Sequence, residues 1–167
     1  PSLTTPMPAH LPALHFVNEK AGRARPRPAD YAGHYRYWDP NALQTLWVLS
    51  VDLDHADSLD RLAAAIGRGL PFPSVLMEKT ANGHAQAHWF IDPVATGPRS
   101  RQKPQEYAHA VRAALTQATG GDPFFSNHRS WNPWGTCWRA EARVIWGPTE
   151  ARTLGKLADE LKQAVMW

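Results

Sequence analysis

The chain has a single cysteine, Cys137, in 167 residues. That excludes an intramolecular disulfide and a cysteine-built zinc site, and it suits a reducing cytoplasm. No apolar run approaches the roughly 20 residues of a membrane span, and no signal-peptide pattern opens the sequence. The phosphate loop GxxxxGK[ST], the dinucleotide fingerprint GxGxxG, the zinc-protease HExxH and the nucleophile elbow GxSxG are all missing. Internal repeats are missing too. What these absences leave is one domain, long enough to bury a core without staples. Its formal net charge of +3 and pI near 9.3 permit nucleic acid or phosphate partners without demanding them.

The unusual abundances are eight tryptophans, eight histidines and 15 prolines. Tryptophan serves as core or as a stacking surface for bases. Proline is concentrated at the start, so residues 1–30 read as a proline-rich basic segment with Arg23, Arg25 and Arg27 in an extended loop. Residues 31–167 read as the folded domain. Within it the patterns alternate between strand and helix, which predicts a mixed α/β (α+β) fold with at least one antiparallel pair.

LWVLSVDLDHADSLD, residues 46–60, is the most informative stretch. An apolar run predicts a buried strand over Thr45–Leu53, and its end carries Asp52 and Asp54. Side chains alternate along a strand, so these two carboxylates share a face. Like charges that close oppose folding unless a cation lies between them, and a hard divalent ion suits the pair. The bland reading is two solvated acids ahead of a helix, which Asp57 or Ser58 caps and Gly67 or Gly69 ends. SVLMEKT, the ANG turn and HAQAHWFI predict a hairpin. On its second strand His84, Gln86 and His88 share one face, a row of donors suited to a polyphosphate or a metal-bound water. A polar outer face of an edge strand gives the same pattern.

The loop that follows supplies Arg99, Arg101 and Lys103, residue types that hold phosphate oxygens or simply face solvent. A helix is predicted over Gln105–Thr119, stopped by Gly120-Gly121. Asp122 comes next. Locally it is a turn residue, and it becomes a third acid only where the fold returns it to Asp52 and Asp54. Three carboxylates in one place can hold the two ions of nucleotidyl transfer. The last predicted elements are a strand at RVIW and a helix over Thr149–Val165.

Taken in order, these pieces resemble the replicases of theta-replicating plasmids such as the small colicin plasmids, within the archaeo-eukaryotic primase superfamily. VLSVDLDHAD (48–57) resembles the strand ending in D-x-D, and residues 70–94 resemble the block "P-P-S … N-G-H-A-H … W … P-V". Residues 105–133 resemble "Y … A-V … L … G-G-D … Y/F … K-N-P", and RTLGKLADEL (152–161) resembles "Y-T-L-x-E-L". The likeness implies a primase/polymerase fold with a mixed, RNA-recognition-motif-like sheet flanked by helices. It implies Asp52, Asp54 and Asp122 as ligands of Mg²⁺ or Mn²⁺. It implies a nucleotide-binding histidine at His84 or His88, or Gln86 in its place, and the basic loop's Arg99, Arg101 and Lys103 are expected to hold the triphosphate with it. The partners it implies are nucleoside triphosphates, a DNA template at the plasmid origin and a host DNA polymerase that extends the primer.

Two departures stand out. The family's GHAH reads GHAQ here, placing Gln86 where a histidine is usual, and K-N-P reads N-H-R-S-W-N-P, so His128 or Arg129 takes the place of the cation. Origin recognition in the family rests on a C-terminal DNA-binding region, and no helix-turn-helix pattern precedes Trp167, so the chain reads as the catalytic domain alone. Two other classes stay open: a non-catalytic fragment that grips origin DNA, and a metal-dependent nuclease or relaxase.

Overall fold

The computed structural model describes Pro8, Leu11 and residues 14–165. The predicted long strand is β4 (Thr45–Leu53), followed by α1 (Ser58–Gly67). The hairpin is β5 (Val75–Lys79) and β6 (Ala85–Ala95), and α2 runs from Gln102 to Thr119. With β8 (Ala142–Trp146) these strands form a sheet of order β4-β6-β5-β8, antiparallel at every ladder. The closing helix, α3, spans Leu154–Val165. It begins later than its apolar spacing suggests. Arg152 first lies against β6 in an isolated parallel bridge to Ile91, with a guanidinium N–H donated to Phe72 O at 2.7 Å. Thr153 Oγ1 then accepts the Lys156 N–H, which satisfies a free donor of the first turn.

Residues 14–30 depart most from expectation. They contain β1 (Leu14–Val17), and the stretch expected as an extended loop holds β2 (Arg25–Arg27). With β3 (Tyr37–Trp38) and β7 (Ser130–Trp131) these make a second sheet of order β2-β1-β3-β7. It joins the start of the chain to the tryptophan-rich segment, so the expected boundary at residue 30 falls inside one packed unit.

The layering follows from alternation on β4 and β6. Leu49, Val51, Leu53, Ala85, Ala87, Trp89 and Ile91 face the helices, where they meet Leu62, Val111, Leu115 and Leu157. Val48 and Phe90 face the small sheet, where Phe16, Trp38 and Trp134 close over them. The central strand β6 is therefore buried on both faces from Ala85 to Ile91. Strand β4 lies at the sheet's edge, and its outward backbone groups are covered one by one. Asn127, at φ 60°, accepts from Ser50 N–H at 2.8 Å through its side chain. Asn41 accepts from Val48 N–H, and Arg112 Nε donates to Ser50 O. Asp122 N–H donates to Asp52 O at 2.8 Å. An edge so occupied cannot pair with another chain. Among the described residues, no helix is long and apolar enough to cross a membrane.

Candidate metal centre

Past the last rung of β4 the chain must turn sharply, and Ser58 makes the turn. Its hydroxyl donates to Leu53 O at 3.0 Å and accepts from His55 N–H. Asp54 is thereby fixed just beyond the strand, on the same side as Asp52. The third acid arrives through the two glycines. Gly120 ends α2 in the left-handed conformation, φ 73°, which favours glycine. A Cβ on Gly121 would stand 2.3 Å from Val51 Cγ1, so only glycine lets the chain pass this close to β4. The next residue is Asp122, and its N–H reaches Asp52 O. His55 Nε2, 2.9 Å from Gly120 O, ties the two segments together.

Asp52, Asp54 and Asp122 each present a carboxylate oxygen, and these oxygens lie within 4.8 Å of one another. Asp52 and Asp122 are half-buried and Asp54 is exposed. Burial raises the Asp52 carboxyl above its ordinary range, and the charge of Asp54 raises it further. The hydrogen bond from Gln86 Nε2, 3.2 Å away, works in the opposite direction, and the charge of Asp122 adds to the rise. An all-carboxylate set of this kind fits a hard divalent cation such as Mg²⁺ or Mn²⁺, whose charge would relieve the repulsion. The donor types match the group that the family pattern implies.

Strand β6 contributes the flank. Its own turn is held close because a Cβ on Gly83, at φ 76°, would lie 2.1 Å from Ala56 O. That contact sets His84 beside Asp54, with Nδ1 3.5 Å from Oδ1. Gln86 pairs with Asp52 across the ladder and bridges two elements. Its amide donates to Asp52, and its Oε1 accepts the backbone N–H of Trp131 at 2.9 Å. Gln86 is thus a strut between a carboxylate and the small sheet.

Three expectations are corrected. His88 shares a face with His84 and Gln86, yet it lies under the small sheet with 0% exposure. Its Nδ1 is 2.7 Å from Ser50 Oγ, and its ring meets Trp38 edge-on. Burial pushes its pKa down to about 3, so the ring is neutral and sequestered from any nucleotide. Arg99, Arg101 and Lys103 lie at the wrong end of the sheet. Ala95 pairs with Thr45, whereas Ala85 pairs with Leu53 beside the acids. The 18-residue helix α2 then covers about 27 Å on its way back to Asp122. Arg129 grips buried Asp39 with two nitrogens, at 2.8 and 2.9 Å. His128 sits 3.5 Å from the same carboxylate, so both candidate cations serve the small sheet's frame.

One residue escaped the sequence reading. Lys79 ends β5, and its N–H donates to His84 O just before β6, so Lys79 adjoins His84, which in turn lies beside Asp54 just past β4. Carrying the hairpin register through the ANG turn would have revealed it.

A Replicase family model matches residues 9–161. The chain is similar in structure to the AEP domain of the cyanophage S-2L primase-polymerase (PrimPol). That domain superposes with a TM-score of 0.57 at 13% identity, over 89% of this chain and 88% of the other. The fold is therefore that of a primase-polymerase AEP domain. The chain belongs to the Replicase family. No curated protein matches it.

Proposed function

We propose that this domain is the metal-dependent primase/polymerase of a plasmid replication initiator, making a short primer from NTPs or dNTPs on the origin's DNA. The observation that carries the reading is the convergence of Asp52, Asp54 and Asp122 from two separate segments at the open end of the sheet. Membership of the Replicase family supports it. In the reaction a primer 3′-oxygen bonds to the α-phosphorus of the incoming nucleotide. The bond from that phosphorus to its bridging oxygen breaks, pyrophosphate leaves, and the hydroxyl proton passes to solvent.

Asp52 and Asp122 would hold Mg²⁺ or Mn²⁺ from the edge of β4, with Asp54 closing the exposed side. When bound, such ions activate the attacking hydroxyl and neutralise charge on the leaving group. Gln86 keeps the Asp52 carboxylate turned toward the cluster, and His84 stands where a phosphate oxygen can accept from its ring. A host DNA polymerase would extend the product.

The test is primer synthesis from labelled nucleotides on single-stranded template. Labelled product is expected with Mg²⁺ or Mn²⁺, and product undiminished by Asp52→Ala with Asp54→Ala would sink the reading. Salt-sensitive DNA binding without metal-dependent nucleotide binding would indicate the non-catalytic alternative. Scission of plasmid in the absence of nucleotide would indicate the nuclease.

A further inference from the structure

The three acids gather negative charge, and a triphosphate brings more. Divalent ions offset part of it, and the outer phosphates call for a cation of the protein's own. The basic residues around this end of the sheet are mostly committed elsewhere. Arg143 is paired with Glu78 at 2.9 Å, Arg36 with Glu141 at 2.9 Å and Arg61 with Asp57 at 2.8 Å. Arg112 spends its guanidinium on the carbonyls of Ser50 and Phe125.

Lys79 is different. Among the described residues it forms no ion pair, and the nearby Glu141 is bonded by Arg36. Its ammonium rests 4.5 Å from the ring centre of Trp131 and 5.8 Å from that of Trp138. Such contacts are weak at a half-exposed site, so they orient the ammonium without neutralising it. The side chain projects from the same face of the sheet as Gln86, because Met77, two residues back, pairs with Gln86. Two strand spacings, about 10 Å, separate it from the Asp54 position, with half-buried His84 between them.

We propose that Lys79, poised on Trp131, is the cation that binds the outer phosphates of the incoming nucleoside triphosphate, with His84 on the path between it and the acids. The inference rests on the nucleotidyl-transfer reading and adds a residue to it. Swinging from the indole to a phosphate exchanges a weak cation–π contact for a charge-assisted hydrogen bond.

Dissociation constants for dATP and dAMP with Mn²⁺, measured by calorimetry on the wild type, Lys79→Gln and Lys79→Arg, test it. Lys79→Gln should weaken dATP about tenfold or more and leave dAMP unchanged. Lys79→Arg should restore most of the loss. The dATP-to-dAMP ratio within each variant is insensitive to a partly misfolded fraction. Unchanged dATP binding in Lys79→Gln overturns the assignment, as does an equal loss for both nucleotides. Absence of Mn²⁺-dependent dATP binding in the wild type overturns the nucleotidyl-transfer reading itself, and the role of Lys79 with it.

Discussion

Two neighbouring rungs of the main sheet, on the same strands and the same face, have opposite fates. One rung is Ser50, His88 and Val75, and the next is Asp52, Gln86 and Met77. Both present polar side chains from β4 and β6. Ser50 and His88 are fully buried under Trp38, with Ser50 Oγ hydrogen-bonded to His88 Nδ1, while His88 Nε2 is left without a partner among the described residues. One rung along, Gln86 is still buried but Asp52 is only half-buried, and it meets Asp54 and Asp122 at the edge of the cover. Alternation decides which face a side chain takes, and coverage by the second layer decides whether that face is core or site.

The largest effect should come from removing the outer rung's acids. Asp52→Ala with Asp54→Ala is expected to lower primer synthesis about a thousandfold or more, read from labelled product per enzyme, because several kcal/mol of charge stabilisation disappear. Gly121→Ala should act on the same place without touching an acid. Its Cβ would collide with Val51 Cγ1, so Asp122 is displaced and stability falls by about 1–3 kcal/mol, measured by denaturant unfolding.

The inner rung should respond to pH instead. His88 titrates near 6.5 when unfolded and near 3 when folded, so the unfolded state binds more protons between those values. Stability should be complete above about pH 6.5 and fall as pH drops toward 3. The combined change Ser50→Ala and His88→Leu removes both partners, and it should flatten that slope in melts between about pH 6.5 and 5. The smallest effect is expected from Arg99→Ala, Arg101→Ala and Lys103→Ala together. Arg99 and Arg101 precede α2 and Lys103 lies in its first turn, all at the end far from Asp122, so KM for nucleotide should stay within about twofold of the wild type, a change worth less than one hydrogen bond.

Much of the helix-backed sheet could be read from the chain. Strand β4, the β5–β6 hairpin, α1 and α2 all carry long periodic patterns, whereas the glycine pair read only as a helix stop and the return of Asp122 needed the fold. The small sheet could not be read. Strands β3 and β7 are two residues long and β2 is an exposed Arg-Pro-Arg, too short to show a period. Missing that layer is what misplaced His88, since the strand's two faces were sorted correctly while the cover over one of them was unknown. The same omission left tryptophan's two roles, core or stacking surface, undecided, and Trp134 and Trp138 are buried as that cover. It also left Arg129 looking free, when Asp39 had already claimed it.

Manganese binding followed by electron paramagnetic resonance tests the difference between the rungs most directly. The wild type should take up Mn²⁺ more tightly when dATP is present. Asp52→Asn with Asp54→Asn should abolish the uptake, and Ser50→Ala with His88→Leu should keep it. Equal uptake by the wild type and the carboxylate variant would contradict the account.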